Sequence, residues 1–194
     1  MNKKIFFIGF NKTATTALHH LVGASGYVSV HCLYRVEDTS RFIARQMHDN
    51  VKEGNPILKD MDKAHAYSDM LYVKQRRYIE GNKYYRKLHE EYPDSYFVLQ
   101  TRNIDDWLKS RLYHKDGAFV KRCMKFQNCT QDELLMQWSF EKKSREKAMK
   151  FYFRDNPNFL VFDIDKDPID KLINHVSSDF ELDKRRWRRL NETV

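Results

Sequence analysis

A short apolar run that leads into a loop and then a helix is the feature that most constrains this chain. Residues 5–8 are all apolar, which is typical of a strand buried on both faces of a parallel sheet. The loop at residues 9–16 follows, and beyond it Leu18, Leu21 and Val22 keep helical spacing. Such a loop combines free backbone N–H groups with the positive end of a helix dipole, so it suits a phosphate or a sulfate. The order of strand, loop and helix therefore predicts an anion-binding site near the amino terminus.

The composition of this loop narrows the class of protein. Its sequence is Gly-Phe-Asn-Lys-Thr-Ala-Thr-Thr, which supplies the ammonium of Lys12 and the hydroxyls of Thr13, Thr15 and Thr16. The loop of nucleoside-triphosphate enzymes has the pattern G-x-x-x-x-G-K-[ST]. That pattern is absent here, because the lysine comes earlier and Ala14 is followed by two threonines. An ATPase or a GTPase is therefore disfavoured.

The rest of the chain alternates between strand and helix patterns. Further strands are expected at residues 27–32, 57–58, 96–99 and 159–162, and helices between Asp38 and Lys52, at residues 105–113, from Thr130 onward and after Pro168. The helix from Thr130 opens with the capping box Thr-Gln-Asp-Glu. Residues 60–92 mix charged and aromatic residues and are expected to be mostly helical. The alternation predicts a three-layer α/β/α fold around a central, mostly parallel sheet, in a single domain that spans residues 1–194.

Charge and cysteine content limit the partners without choosing among them. Lys and Arg number 35 against 27 Asp and Glu, a formal charge of +8, which favours nucleotides, nucleic acid or acidic glycans. The three cysteines show no CxxC or Cys/His metal spacing, so we expect no metal and a reduced, cytoplasmic protein. The apolar run at residues 5–10 is too short for a signal peptide, and no other segment approaches a membrane span. We therefore expect neither secretion nor stable membrane insertion.

The loop resembles the 5′-phosphosulfate loop of sulfotransferases that use 3′-phosphoadenosine 5′-phosphosulfate (PAPS), whose form is G-[FVT]-x-K-[TS]-G-T-[TS]. The chain matches the family at Gly9, Lys12, Thr13, Thr15 and Thr16. It departs at Ala14, where the family usually has glycine, so the loop must tolerate a methyl group there. The resemblance implies the P-loop type of α/β fold that these sulfotransferases share.

A second segment, residues 96–110, resembles the part of the family that holds the 3′-phosphate. In that family an arginine at the end of a strand and a serine eight positions later bind the phosphate, and Arg102 and Ser110 have this spacing. A guanidinium can form paired charge-assisted bonds to phosphate oxygens, and a hydroxyl about two helical turns on can join them. We interpret Trp107 as core packing, and His114, one turn beyond Ser110, as a residue that could face an acceptor pocket.

The resemblance implies transfer of a sulfuryl group from PAPS to a hydroxyl or an amine, with release of 3′-phosphoadenosine 5′-phosphate (PAP) and no need for a metal. Positioning and charge stabilisation supply most of the catalysis in such transfers. Lys12 would stabilise the charge that grows on the oxygen between phosphorus and sulfur. The loop residues that the resemblance assigns to PAPS binding are Asn11, Lys12, Thr13, Ala14, Thr15 and Thr16. The acceptor is left open among small molecules, lipids and glycans, and so is the oligomeric state.

An acceptor hydroxyl also needs a base, which the family places near the end of the second or the third strand. His31 occupies the first of these positions and is the preferred candidate. Asp60 and His65 occupy or follow the second position, with Asp69 further along. A neutral imidazole or a carboxylate can accept the proton, so these residues are the candidate bases.

A basic tail at residues 183–189 adds a further candidate site. By resemblance Arg185 or Arg186 assists Arg102 at the 3′-phosphate, although the family's usual glycine-containing loop is absent. Basic runs with an aromatic residue also occur in nucleic-acid-binding modules, which leaves that function open as a less favoured alternative. A Mg-ATP-dependent kinase acting on a small molecule or a nucleotide is another alternative, and the missing G-K-[ST] counts against it.

Overall fold

The computed structural model describes residues 3–36, 39–74 and 77–188. Within these residues the strands are β1 (Ile5–Phe7), β2 (Ser29–His31), β3 (Leu33–Val36), β4 (Thr39–Phe42), β5 (Ala66–Ser68), β6 (Leu71–Lys74), β7 (Arg77–Glu80), β8 (Tyr96–Thr101) and β9 (Phe159–Asp163). The helices are α1 (Thr15–Ala24), α2 (Ile43–Lys52), α3 (Tyr85–Glu91), α4 (Ile104–Leu112), α5 (Ala118–Gln127), α6 (Gln131–Tyr152) and α7 (Ile169–Val176). Short 3-10 helices occupy Gly81–Tyr84 and Lys184–Arg186.

A seven-stranded sheet in the order β4-β3-β2-β5-β1-β8-β9 forms the centre of the described structure. β1 pairs in parallel with β5 and β8, and the parallel set continues through β2 on one side and β9 on the other. The hairpin of β3 and β4 extends the sheet beyond β2, while β6 and β7 pair only with each other. The predicted α/β fold with a central, mostly parallel sheet is confirmed.

Alternate side chains of β1 enter two separate cores on opposite faces of the sheet. Ile5 and Phe7 pack on the face covered by α1 and α7, with Leu18 and Leu172. Phe6 packs on the other face. Its cluster draws side chains from α2, α3 and α6, namely Met47, Leu88 and Met149. Successive side chains of a strand point to opposite faces, so burial on both sides explains the unbroken apolar run and produces the three layers.

The third parallel strand lies later in the chain than the sequence indicated. Ile57 and Leu58, which were expected to form it, are buried within a series of turns, and the strand is β5. A buried apolar pair in a turn leaves the same sequence signal as a short strand, because burial rather than backbone conformation selects the residue type. The expectation for residues 57–58 was wrong. The carboxyl end of the strand consequently moves from Asp60 to Asp69.

Residues 60–92 are also less helical than expected, since the described part of this stretch contains β5, the β6–β7 hairpin and α3. The hairpin strands are rich in β-branched and aromatic residues, which favour strands over helices. Two further elements were not foreseen, the β3–β4 hairpin and α5. Because β4 precedes α2, that helix begins at Ile43, and Asp38, where it was expected to open, lies outside the described residues.

The helices at residues 105–113 and from Thr130 onward are confirmed as α4 and α6. At the start of α6 the Glu133 N–H donates to the Thr130 hydroxyl at 3.3 Å, and the Thr130 N–H donates to the Glu133 carboxylate at 2.8 Å. This reciprocal pair is the predicted capping box, and it fixes the point where the longest described helix begins. None of the helices in the described ranges is long and apolar enough to cross a membrane.

Candidate active site

Gly9 follows β1 and lies directly against the neighbouring strand β8. Its N–H donates to Oε1 of Gln100 at 2.9 Å. A Cβ on Gly9 would lie 2.1 Å from the Gln100 carbonyl oxygen and 2.7 Å from Gln100 Cδ, well inside van der Waals contact. The close approach of the two chains therefore requires glycine at this position, and it places the start of the loop at the carboxyl edge of the sheet.

The loop after Gly9 turns through two residues in the left-handed region. Lys12 has a φ of 66°, and Ala14, the residue that precedes α1, has a φ of 59° and a ψ of 22°. Among the described residues, the N–H groups of Lys12, Ala14 and Thr15 find no protein acceptor. Unpaired N–H groups at the positive end of a helix form a concave site for an anion.

Contacts within the loop and from α4 hold this backbone in place. The Thr13 hydroxyl donates to the Phe10 carbonyl at 2.5 Å, so its proton is engaged inside the loop. Trp107 of α4 donates from its indole N–H to the Asn11 carbonyl at 2.8 Å. Its buried ring also meets Phe10 edge-on, with 5.5 Å between the ring centroids. Trp107 is the core residue that its sequence position suggested, and it also ties the loop to α4.

The ammonium of Lys12 faces an imidazole rather than a carboxylate. Its Nζ lies 3.5 Å from Nδ1 of His114, in the connection after α4. Burial lowers the pKa of Lys12; Asp69 opposes this change and Arg102 adds to it. Burial and nearby cations, Lys12 first among them, lower the pKa of His114 to about 4, so its ring is neutral near pH 7. The positive charge of Lys12 is thus held close to the loop, and no carboxylate of the described residues pairs with it directly.

Arg102 and Ser110 lie on the next strand and the helix that follows it. Arg102 comes directly after β8, where its Nε is buried without a partner in the described chain and its Nη2 lies 3.7 Å from Oδ1 of Asp165. The Asn103 side chain caps α4 by accepting from backbone N–H groups, so the strand turns at once into the helix. Ser110 is buried two turns along that helix. Arg102 is therefore a cation beside the loop with donor capacity to spare.

His31 and Asp69 come from the carboxyl ends of two adjacent parallel strands. His31 pairs in register with Ser68 of β5, and Asp69 is the next residue after that strand. Nε2 of His31 lies 3.2 Å from the Thr15 hydroxyl and 3.6 Å from Oδ2 of Asp69. The imidazole, the carboxyl and the first residue of α1 therefore meet at one point beside the loop.

Their surroundings shift the pKa values of the two groups in opposite directions. Burial lowers the pKa of His31, which keeps its imidazole neutral. Burial first, and then the negative charge of Glu80, raises the pKa of Asp69 to about 7, while Arg111 and Lys12 oppose the change. A half-buried carboxyl with such a pKa is typical of an active site.

A buried ion pair lies behind Asp69 and joins the β6–β7 hairpin to α4. Nη2 of Arg111 lies 2.8 Å from Oε1 of Glu80 and donates to the Tyr78 hydroxyl at 3.1 Å. The guanidinium carbon is 4.3 Å from the centre of the Trp138 ring and 4.6 Å from that of Trp107. The pair fixes the helix that carries Ser110. Its partners come from distant parts of the chain, so the sequence pattern alone could not identify it.

Two of the expected bases lie at the opposite edge of the sheet. His65 precedes β5, its carbonyl accepts from the Ile5 N–H at 2.8 Å, and its Nδ1 accepts from the Val28 N–H at 3.1 Å. Asp60 lies in the turns that lead to His65. Because β5 runs parallel to β1, its amino end is remote from the loop. The carboxyl end of the third strand is followed by Asp69 rather than by Asp60 or His65, because the sequence-based prediction placed that strand too early, and which residue acts as the base stays a prediction.

The basic tail packs beside α1 rather than against Arg102. Arg185 and Arg186 both pair with Asp183, at 3.0 Å and 3.6 Å, and both are exposed. The Asp183 N–H donates to the Ser25 hydroxyl, at the end of α1 that is farther from the loop. No contact in the described residues joins either arginine to Arg102, so their role at a 3′-phosphate stays a prediction. Arg189, which also belongs to this run, lies outside the described residues.

The residues around the loop fit an anionic ligand. Within the described ranges, N–H groups without an acceptor, a lysine without a carboxylate contact and an arginine with an unpartnered Nε all converge at one edge of the sheet. Donors that lack a protein partner at a partly buried site need acceptors, and an anion supplies them.

Comparison with known proteins agrees with this geometry. The model of the family described as "Sulfotransferase domain" matches residues 4–186. Among solved structures, the fold is similar to a sulfotransferase from Alicyclobacillus acidocaldarius, with a TM-score of 0.52 and 13% identity over 94% of this chain and 85% of that one. At this identity the likeness speaks for the fold alone, and no curated protein matches the sequence. Because the family model spans nearly the whole chain, this protein belongs to the sulfotransferase domain family and is a sulfotransferase enzyme.

Proposed function

We propose that this enzyme takes its sulfuryl group from PAPS and transfers it to a hydroxyl or an amine, releasing PAP. The observation that supports this most is the placement of the loop and of Arg102 at the carboxyl ends of adjacent parallel strands, β1 and β8. PAPS carries anionic groups at both its 5′ and its 3′ positions, and two neighbouring cationic sites suit it. Ligands of open parallel sheets generally bind at this edge.

The loop and Arg102 would hold the two ends of this donor. The N–H groups at Lys12, Ala14 and Thr15 bind oxygens of the 5′-phosphate and the sulfonate, and Arg102 with Ser110 binds the 3′-phosphate. When bound, PAPS supplies a sulfuryl group on a phosphosulfate anhydride. The Lys12 ammonium stabilises the negative charge that develops on the leaving phosphate, and its partial burial strengthens this interaction.

The proton of the acceptor passes to the pair formed by His31 and Asp69. The imidazole of His31 is neutral, and in the tautomer that carries its proton on Nδ1 the Nε2 atom accepts the proton. Nε2 lies 3.2 Å from the hydroxyl of Thr15, a residue that contacts the sulfonate in this proposal. An acceptor oxygen deprotonated at this point is therefore close to the sulfuryl group. Since the two side chains are 3.6 Å apart, they titrate as a coupled pair rather than as independent groups.

The proposal leaves the acceptor as a small molecule, a lipid or a glycan that bears a hydroxyl or an amine. A kinase on a related scaffold would instead bind ATP with Mg²⁺, and the loop lacks the G-K-[ST] that such enzymes use. A nucleic-acid module would rely on the tail, where Arg185 and Arg186 are paired with Asp183. The nucleic-acid alternative gives no role to the grouping of Lys12 with Arg102.

Thermal unfolding in the presence of PAP, of ATP with Mg²⁺ and of a short oligonucleotide tests the donor. PAP at a hundredfold excess over its dissociation constant should raise Tm by about 5–10 °C. Lys12→Ala should reduce this shift and lower the rate of transfer from PAPS, whereas Lys63→Ala, at an exposed lysine near the opposite edge of the sheet, should change neither. A Tm shift with ATP and Mg²⁺ but none with PAP would sink the proposal.

A further inference from the structure

The long helix α6 has one face that no described part of the chain covers. Its buried side chains point to the core and are Leu134, Trp138, Lys142 and Met149. On the outer side Met136, Phe140 and Phe151 expose 65%, 75% and 69% of their surfaces. At about 100° per residue, these three side chains fall within roughly 60° of one another along a helix about 33 Å long. They form an apolar stripe on the surface.

Such side chains are scattered elsewhere in the described residues. The other large apolar side chains that are exposed are Val28 before β2, Leu33 in β3 and Tyr113 after α4. A single exposed apolar residue is normal on a protein surface, whereas a group of them on one helix face indicates a contact surface. Half of the exposed set is thus concentrated on α6.

Lysines occupy the positions between the apolar residues of this stripe. Lys143, Lys147 and Lys150 are exposed, and they lie within about 40° of Met136 around the helix. None of these three ammonium groups pairs with a carboxylate of the described chain. Just past α6, Arg154 lies over the Phe151 ring at 4.5 Å and pairs with Asp155. The stripe is therefore both apolar and strongly positive.

The acidic residues of α6 leave this stripe free of negative charge over most of its length. Glu141 pairs with Arg145, and Glu146 lies 2.6 Å from the buried Lys142, so both are engaged on the inner side. Asp132 and Glu133 lie in the first turn, where Glu133 belongs to the capping box. From Met136 to Phe151 the outer face carries only positive charges.

We propose that this face of α6, formed by Met136, Phe140, Lys143, Lys147, Lys150 and Phe151, binds the surface of a bilayer that contains anionic lipids. In such binding the apolar side chains enter the boundary between headgroups and acyl chains, while the ammonium groups contact the lipid phosphates. Long lysine side chains suit this arrangement, because their methylene stems lie along apolar material and their charges stay at the surface. The contact is peripheral, and it does not depend on the proposed donor.

A groove on another protein fits this face less well. Helices that dock into protein grooves present apolar anchors at successive i, i+3, i+4 and i+7 positions. Here Met136 and Phe140 are four residues apart, but lysines fill the next positions of the stripe until Phe151. A groove would have to bury these ammonium groups, whereas a bilayer surface leaves them at the headgroups.

Co-sedimentation with vesicles tests the proposal directly. The full chain should sediment with vesicles of phosphatidylcholine mixed with phosphatidylglycerol, and much less with phosphatidylcholine alone. Phe140→Asp combined with Phe151→Asp should lower the partition coefficient at least about tenfold, because each change removes an inserted ring and adds a like charge. Changing Lys143, Lys147 and Lys150 to Gln should lower it about a hundredfold, at roughly fivefold for each lysine.

Val28→Asp combined with Leu33→Asp is the matched control, because it alters net charge equally at exposed apolar sites away from α6. This control should keep most of the vesicle binding, and circular dichroism should show that every variant stays folded, since all the altered side chains are exposed. Equal sedimentation with neutral and anionic vesicles would overturn the proposal. An equal loss of vesicle binding in the Phe variant and in the control variant would also overturn it. So would a wild-type protein that does not bind vesicles and instead self-associates through Phe140 and Phe151.

Discussion

Lys12 Nζ lies 3.5 Å from Nδ1 of His114, and the two residues come from the loop at residues 9–16 and from the connection after α4. Because the pKa of His114 is lowered to about 4, its neutral ring accepts a hydrogen bond from the ammonium at physiological pH. A carboxylate at this position would neutralise Lys12, whereas an imidazole orients it and leaves its charge available to an anion. His114 is therefore placed to position Lys12 rather than to receive a proton itself.

Variants of His114 should shift the alkaline limb of the pH–rate profile, because they change the pKa of Lys12. His114→Lys places a second ammonium beside the first, and like charges disfavour the charged form, so the pKa of Lys12 should fall further. On the alkaline side, kcat/KM of this variant should then begin to fall at a pH about one unit or more below that of the wild type. His114→Gln keeps a neutral acceptor and should leave that limb in place. Coincident profiles for the two variants would show that His114 does not govern Lys12.

The acidic limb of the same profile should report the pair of Asp69 and His31. With its pKa raised to about 7, Asp69 becomes a carboxylate only as the pH rises through that value, so kcat/KM should climb toward a plateau above pH 7. The pKa of His31 is lowered from 6.5, so Asp69→Asn should shift the remaining limb below that value. If Asp69→Asn retained a limb near 7, the carboxyl would not be part of the base.

The unfolding free energy should depend on pH in the direction that the raised pKa of Asp69 requires. The folded protein binds a proton on the Asp69 carboxyl more tightly than the unfolded chain does, because the pKa is about 7 when folded and 3.8 when unfolded. This difference stabilises the folded protein fully below pH 3.8, and the contribution is lost as the pH rises to about 7. Asp69→Asn removes the charge that is costly to bury. Denaturant unfolding should therefore show a variant that gains stability relative to wild type above pH 7, and gains less below pH 4. A gain that is the same at both pH values would contradict the raised pKa.

The sequence predicted those parts of the site whose signals are local. The strand, loop and helix around Lys12 lie within one short stretch, and the apolar run reports burial on both faces of the sheet. Arg102 could be placed because β8 opens with four consecutive apolar or aromatic residues, at positions 96–99, and Arg102 follows the strand directly. The parallel sheet followed from the alternation of such segments, which needs no knowledge of any long-range contact.

Other parts of the site depend on contacts between distant residues. β5 is only three residues long, so its sequence pattern is no stronger than that of the buried pair at residues 57–58. The third strand was therefore expected at 57–58, and the sequence did not show that Asp69 follows that strand. The indole bond from Trp107 to the loop joins positions 96 apart in the chain. The pairing of Glu80 with Arg111 likewise depends on a hairpin that looked helical. The periodicity of apolar residues and the composition of a segment carry no information on such long-range pairings.

Substitution of Gly9, at the start of the loop, and of Gly23, inside α1, should have opposite effects on stability. A methyl group at Gly9 would lie 2.1 Å from the Gln100 carbonyl oxygen, so Gly9→Ala should force β1 and β8 apart and lower the unfolding free energy by about 2 kcal/mol or more. At Gly23, inside α1, a Cβ meets no atom within 4 Å. Gly23→Ala should therefore raise stability by about 0.5–1 kcal/mol through the unfolded chain. Denaturant unfolding of both variants checks the contrast, and equal effects would refute the close approach at Gly9.

Ala14 is the position at which the loop departs from the family pattern, and its backbone shows why glycine is usual there. With a φ of 59° it is in the left-handed region, which costs an alanine about 1–2 kcal/mol and a glycine almost nothing. Ala14→Gly should therefore raise the unfolding free energy by about 0.5–1 kcal/mol, after the greater freedom of glycine in the unfolded chain is subtracted. Tm should rise by about 1–4 °C.

Ala148→Gly provides the matched control, because Ala148 lies within the right-handed helix α6. There the same change should lower stability by about 1 kcal/mol. If relief of backbone strain is the main effect at Ala14, the Ala14→Gly variant should bind PAP at least as tightly as wild type, since the N–H groups of the loop keep their positions. A fall in Tm equal to that of Ala148→Gly would mean that the left-handed turn at Ala14 is not a feature of the folded protein.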